Sequence, residues 1–334
     1  MKDTIERKRL AILRILNEAR TPLVSQRITE KMLALGYDIS ERTVRFHLLS
    51  LDKEELTEDL GKQGRCITEK GIKELNHARV FEKVGFLAAK IDQMIYQMDF
   101  DLEKLKGNVV TNISFIEKRH IARAVPLMCR VFMAGFSMGK LLTLFKAGEK
   151  IGELSVPEGF IGIGTVCSIT LNGVLLSYGI PTNSRFGGLL EMKNWEPARF
   201  VAIINYDGTT LDPLEIFIKS GMTDYTEATE SGNGQIGASF REMPASSRER
   251  VIELATKLEQ VGLGGFMRIG WPGRTLLEIP INEGRIGAII IGGLNPVAIL
   301  EEVDIPVYSH TLSGYVDFKR LFPYEELEQR TKDV

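Results

Sequence analysis

From residue 107 onward the chain repeats itself, and no other feature narrows its fold as much. At a constant offset of 125 positions, Ser114-Phe115 returns as Ser239-Phe240, Glu117 as Glu242 and Arg123 as Arg248. Farther on, Glu153 returns as Glu278, Glu158-Gly159 as Glu283-Gly284 and Ile161-Gly162 as Ile286-Gly287. Leu175 matches Leu300, and Ile180-Pro181 matches Ile305-Pro306. A register held so long without a gap means two copies of one unit, about 108–182 and 233–307, joined by an intervening segment, 183–232. Solenoids stack three or more short repeats, so two long copies imply a pseudo-twofold pair instead.

Both copies share one grammar. A strand (Val109–Ile116; Gln235–Arg241) leads to an amphipathic helix (Ile121–Gly135; Arg248–Gly262). After β-rich residues and E-G-x-I-G comes a strongly apolar strand (Phe160–Cys167; Arg285–Ile291), then a helix (Asn172–Tyr178; Pro296–Glu302). The apolar strands carry hydrophobic side chains on successive residues, as strands covered on both faces do. The expected class is therefore an α/β (α+β) regulatory domain with an internal pseudo-twofold duplication, spanning 107–325.

Residues 1–78 read differently. Glu6–Ala19 places Ile12, Leu13, Leu16 and Ala19 at helical spacing, and Thr21-Pro22 ends that helix. Ser25–Leu35 predicts a second helix closed by Gly36, and Ser40-Glu41-Arg42-Thr43 opens a third through Val44, Leu48, Leu49 and Leu51. Leu60–Ile67 predicts a polar hairpin, and Thr68-Glu69-Lys70-Gly71 starts a return helix with Ile72 and Leu75 inward. Three helices, a basic hairpin and a return helix describe an α-rich winged helix-turn-helix. Residues 79–106 are expected to connect the domains, as an amphipathic helix over Val80–Met98 followed by a charged linker, Asp99–Lys106. Such a helix would connect or dimerise, or simply pack.

In the winged helix, Arg42, Arg45 and His47 lie on the candidate recognition helix beside Phe46, with Ser40 and Thr43 placed to reach phosphates. Lys62 and Arg65 sit on the wing, where backbone or minor-groove contact is sensible. Double-stranded DNA is the expected partner; a plain solvated face or a protein-binding winged helix is the alternative.

In the duplicated part, Gly292-Gly293-Leu294-Asn295-Pro296 has the glycines, capping Asn and helix-starting Pro of an anion site at a helix start. Its counterpart Thr165-Val166-Cys167-Ser168-Ile169-Thr170 offers hydroxyls and a thiol, and the turn Pro181–Gly188 carries Arg185, which can hold a carboxylate. Such pieces suit a small dianion between the copies. Equally, the glycines could serve tight turns alone, Arg185 be a surface charge and Cys167 a buried filler.

Composition closes off other classes. No window approaches ~18 consecutive apolar residues and Met1–Arg9 is charged, so no membrane span, secretory signal or transit peptide is expected. The three cysteines lie far apart and the four histidines are unpaired, so disulfides and metal sites are not expected and a cytoplasmic location is. No catalytic set, phosphate loop or dinucleotide fingerprint stands out.

Gly164-Thr165-Val166-Cys167-Ser168, then Asn172-Gly173-Val174-Leu175-Leu176, Gly179-Ile180-Pro181 and Ser184-Arg185-Phe186-Gly187-Gly188-Leu189-Leu190-Glu191 together resemble the regulatory domain of the NrpR family of nitrogen-responsive repressors. The N-terminal segment is similar to the winged helix preceding that domain, of the type also seen in ribonuclease R. The resemblance covers about residues 1–325. It implies a homodimer on operator DNA of nitrogen-assimilation and nitrogen-fixation genes, released by 2-oxoglutarate as an effector; no cofactor is implied. Family members often carry two regulatory domains in tandem, whereas this chain has length for one, so a second NrpR-type protein is a possible partner. The resemblance carries effector roles to Thr165, Cys167, Ser168, Ser184 and Arg185; the repeat alone adds Gly292, Gly293 and Asn295. Two competing functions remain at this stage: an enzyme on a small keto or hydroxy acid acting through Cys167, and a co-regulator whose winged helix binds protein.

Overall fold

Apolar residues three and four apart wind α1 (Lys2–Ala19), α2 (Ser25–Ala34) and α3 (Glu41–Lys53) around one core, with Ile12, Leu16, Ile28, Met32, Val44, Leu48 and Leu51 fully buried. A hairpin follows, β1 (Thr57–Asp59) against β2 (Arg65–Ile67), its tip a single 3-10 turn over Gly61–Gln63. Leu23 bridges to Arg65 and adds a third short rung. The return helix α4 (Glu69–Glu82) buries Leu75, but Ile72 remains 39% exposed, a correction to its expected inward placement. This is the winged helix-turn-helix expected from the sequence.

The computed structural model describes residues 2–19, 21–34, 37–82, 86–152 and 154–332, and the chain divides between Met1–Val84 and Gly85–Val334. The expected helix end at Leu35-Gly36, Val84 and Gly85 within the connecting helix, and Glu153 of the repeat lie outside the described residues.

The second unit opens with α5 (Phe86–Gln97), the later half of the expected connecting helix. Leu87, Ile91, Met94 and Ile95 pack it onto Val110, Cys167, Ile169, Tyr206 and Leu312, so this helix is part of the regulatory body. Asp99–Lys106 is not a free linker either. Phe100 and Leu102 bury themselves in the core, while Asp101 caps the turn by accepting from the amides of Glu103 and Lys104.

The first copy then runs β3 (Asn108–Glu117), α6 (Ile121–Met133), β4 (Leu141–Phe145), a two-residue ladder of β5 (Lys150–Ile151) with β6 (Leu154–Ser155), β7 (Phe160–Val166) and α7 (Ile169–Ser177). After it come β8 (Asn183–Lys193), β9 (Glu196–Asn205) and two short helices, α8 (Pro213–Lys219) and α9 (Tyr225–Ser231). Tyr206–Ser231, acidic and polar in sequence, is ordered because Leu214, Phe217, Ile218, Tyr225 and Ala228 anchor it. The second copy repeats the order as β10 (Gly234–Pro244), α10 (Arg248–Gln260), β11 (Phe266–Ile269), β12 (Arg285–Ile291), α11 (Asn295–Glu301) and β13 (Tyr308–Asp317), and β14 (Phe322–Pro323) and α12 (Leu327–Thr331) close the chain.

Two five-stranded antiparallel sheets result, ordered β11-β12-β10-β8-β9 and β13-β3-β7-β4-β14. The strand after each copy joins the other copy's sheet: β8 pairs with β10, and β13 pairs with β3. The repeated unit thus extends one strand past Ile-Pro, to about 193 and 317, and each copy completes its partner's sheet. The helices are exchanged likewise, α6 packing with α11 in one core and α7 with α10 in another. Successive residues of β7 and β12 are buried because both faces are covered. Among the described residues no helix is long and apolar enough to cross a membrane.

Candidate functional site

On α3, Ser40 caps the helix, its Oγ accepting from the Thr43 amide at 3.3 Å and lying 2.9 Å from the Thr43 hydroxyl. Both hydroxyls therefore sit at the helix start, as expected. Val44, His47, Leu48 and Leu51 form the inward face, while Arg42, Arg45, Phe46 and Leu49 are exposed. At 100° per residue those four fill an arc of about 100°. His47, expected on the DNA side, is turned into the core at 5% exposure. Burial and the charges of Arg9 and Lys8 hold its imidazole below its usual range. Leu49, read with the core residues, faces out.

The two arginines differ. Arg42 has no ion-pair partner among the described residues, whereas Arg45 donates to Glu41 at 2.6 Å and to Ser25 Oγ at 3.1 Å. On the wing, Lys62 is exposed at the tip. Arg65 is instead locked in place, donating to Asp52 at 2.9 Å and Asp59 at 2.7 Å, with its side chain only 16% exposed. Its guanidinium staples the hairpin to α3, which corrects its expected contact role.

In the regulatory unit a cavity of ≈ 330 Å³ opens between α5 and the β8 side of the duplicated body. Asn172, Thr182, Ser184, Arg185, Tyr206 and Asp207 line it, and α5 contributes Ala88, Ile91 and Asp92. Of the expected effector residues only Ser184 and Arg185 line this space. Ser184 is held by Asn172 Nδ2 at 3.0 Å. Arg185 is already committed, donating to the fully buried Glu242 at 2.9 Å and to the Pro280 carbonyl at 2.8 Å. Ser168 stands one shell behind, and Thr165 is buried in β7 away from the lining with its hydroxyl unpartnered.

The glycine-rich counterpart is filled by protein. A Cβ on Gly293 would come within 2.6 Å of the Val166 carbonyl and 2.7 Å of Asn112 Nδ2, and one on Gly292 within 2.5 Å of Asn295 Oδ1. Asn295 itself is fully buried, donating to the carbonyls of Phe136 and Gly237 at 2.9 Å each. These three residues let the strand ends of the two copies meet; they offer no anion cradle. Cys167 is a buried thiol pushed up to about 11 by desolvation, so no thiolate is ready to act as a nucleophile.

Sequence reasoning missed Arg241. This β10 residue is 2% exposed, and among the described residues no carboxylate contacts it. It donates to the Ser168 carbonyl at 2.9 Å, the Ser168 hydroxyl at 2.7 Å and Asn172 Oδ1, while its Nε has no partner. Desolvation pulls its pKa down to about 10. It sits at the start of α7, holding the Ser168 carbonyl and hydroxyl. A buried cation there, with no carboxylate in contact among the described residues to offset its lost hydration, favours negative charge in the neighbouring space. The hydroxyl of Thr182, in the cavity lining, is also unpartnered. The repeat held the signal: Arg241 occupies the register position of Ile116, a charge where the other copy has a core residue.

Comparison with known proteins adds the family. The family model "NrpR regulatory domains NRD1 and 2" matches residues 84–323, and "Ribonuclease R winged-helix domain" matches residues 10–75. The chain is 36% identical over 321 residues to the Global nitrogen regulator NrpRI of Methanosarcina mazei, covering 96% of this chain and 99% of that protein. It is 32% identical to the Global nitrogen regulator NrpR of Methanococcus maripaludis, covering 96% of this chain and 55% of that protein. The like-named protein of Methanocaldococcus jannaschii is 28% identical, with 99% and 57% covered, so the chain spans about half the length of these two relatives. A crystal structure of a nitrogen repressor-like protein from Methanococcus jannaschii superposes with a TM-score of 0.61 at 28% identity, covering 71% of this chain and 97% of that one. The chain belongs to the NrpR family of nitrogen regulators.

Proposed function

We propose that this protein is a homodimeric repressor that holds operator DNA of nitrogen-metabolism genes through its winged helices and releases it when 2-oxoglutarate enters the cavity beside α5. The observation that supports this reading most is Arg241, a buried guanidinium that no carboxylate contacts among the described residues, stationed behind a polar cavity of small-molecule size. A dianion finds there the field of Arg241, together with the hydroxyls of Thr182 and Ser184 and the guanidinium of Arg185.

The wall supplied by α5 gives the effector something to move. Asp92 lies in that wall, so an anion in the cavity repels it and favours an arrangement with α5 displaced. Only such differential affinity shifts an equilibrium. Turning operator occupancy from nearly full to nearly empty takes a preference of about 5.5 kcal/mol. Because α5 is the first helix of the regulatory unit in sequence, its displacement passes along the chain to the DNA-binding unit. The buried, protonated Cys167 argues against an acid-transforming enzyme.

Mobility shifts of promoter fragments, run across a salt series with and without 2-oxoglutarate, test the proposal. Retention should weaken steeply with salt, as phosphate contacts require, and fall further with the effector. Calorimetry without heat for 2-oxoglutarate, together with unchanged retention, would overturn it.

A further inference from the structure

The exposed stripe of α3 carries a second kind of information besides charge. Phe46 is 70% exposed and Leu49 55% exposed, large apolar side chains on the outward face of a helix that already has a complete inward face. They alternate with the arginines around the same arc, in the order Arg45, Leu49, Arg42, Phe46. Arg45 is braced by Glu41 and Ser25, which leaves Arg42 as the stripe's free cation among the described residues.

Resting on the reading of this unit as DNA-binding, we propose that Phe46 and Leu49 are specificity-determining residues that read thymine C5-methyl groups in the major groove, with Arg42 beside them on a base edge or phosphate. The argument is one of chemical matching. The major groove admits an α-helix, and the base edges there present hydrogen-bond donors and acceptors except at one place, the thymine methyl. A phenylalanine and a leucine one turn apart have no hydrogen bond to give. Their desolvation is recovered only against that methyl or against another protein. DNA is favoured over a protein surface because the stripe is narrow and interleaved with arginines, and because Lys62 stands exposed on the wing that accompanies it. Ser40 and Thr43 at the head of α3 keep the helix start polar, as a passing phosphate would require.

The proposal makes thymine, rather than adenine-thymine content in general, the determinant at two positions of each half-site. Its test starts from short random duplexes enriched for retention by the full-length parent. The selected sequence is then synthesised with thymine and with deoxyuridine, which removes the methyl and keeps base pairing. The parent is expected to bind the deoxyuridine duplex about tenfold more weakly. Phe46→Ala should bind the thymine duplex more weakly than the parent and bind both duplexes within about twofold of each other. Leu49→Ala should lose part of the discrimination. Both side chains are exposed, so the variants should melt as the parent does. Equal binding of both duplexes by the parent overturns the proposal, as does undiminished discrimination by Phe46→Ala; either leaves the repressor reading standing. Failure of the parent to enrich any duplex overturns both, and leaves the stripe to a protein partner.

Discussion

At the scale of single residues, two buried groups govern what the regulatory unit can do. Arg241 sits among neutral partners, so replacing it with a side chain of similar reach removes a desolvated charge without stranding an opposite one. Arg241→Met should still fold, relief of the desolvated charge offsetting part of the cost of the acceptors it leaves on Ser168 and Asn172, while its affinity for 2-oxoglutarate drops tenfold or more, read by calorimetry. A variant that binds the effector as the parent does would place the anion elsewhere. Arg185 is a poorer probe, because its removal leaves the buried Glu242 carboxylate without its cation, held by Asn282 Nδ2 at 3.2 Å, and any lost response would report folding. The second group is Asp212, which caps α8 by accepting from the amides of Leu214 and Glu215. Burial nevertheless pushes its carboxyl up from 3.8 to about 6. An acid that ionises less readily folded than unfolded keeps its proton in the folded state across that window, so its effect is to lower stability as pH rises from 3.8 to about 6. Asp212→Asn retains a capping oxygen and cannot titrate. Its melting temperature relative to the parent should climb between about pH 4.5 and pH 7, and a constant difference would refute the assignment.

At the scale of elements, the wing and α5 separate structural from functional charge. Lys62→Ala should leave the thermal melt unchanged while weakening DNA retention uniformly and reducing the salt slope by about one. Arg65→Ala should do the opposite first, lowering stability by roughly 1–2 kcal/mol as the hairpin loses its hold on Asp52, measured by denaturant unfolding. For α5, Asp92→Asn removes the repulsion that couples the cavity to the helix. Effector affinity should hold or rise while release of DNA at saturating effector becomes incomplete. The elements themselves were largely legible. Helical periodicity, the Thr21-Pro22 break and the Ser40 cap set out the winged helix, and the repeat register set out β7 and β12. Where the reading missed, the cause is specific. His47 shares the inward face with Val44, Leu48 and Leu51, so its side chain is buried by the same periodicity that defines the helix. The helix α7 begins at Ile169, earlier than expected, because Ile169 to Leu175 is buried all round and presents no polar face to mark its start.

At the scale of the whole molecule, the exchange of β8 and β13 makes the two copies inseparable. Each sheet lacks a strand until the other copy supplies it, and both helical cores draw on both halves. The regulatory unit should therefore unfold in one cooperative transition. Residues 85–232 and 233–334 produced separately should each fail to show a sharp melt, and co-expression should restore a folded complex. Independent melting of either half would disprove the interlock. Folding should also be slow for the size of the unit, since Val316 must find Val109 across most of the chain before the second sheet closes. The sequence by itself determined that there are two copies, what order of strands and helices each contains, and that a winged helix precedes them, because periodicity, caps and repeat register are local properties of the chain. Tertiary structure alone decided which strand completes which sheet, that Gly292, Gly293 and Asn295 face protein, and that Arg241 stands behind Asn172 in the wall of the cavity that α5 lines. Those outcomes depend on contacts between residues far apart in sequence, whose pairing no local pattern encodes.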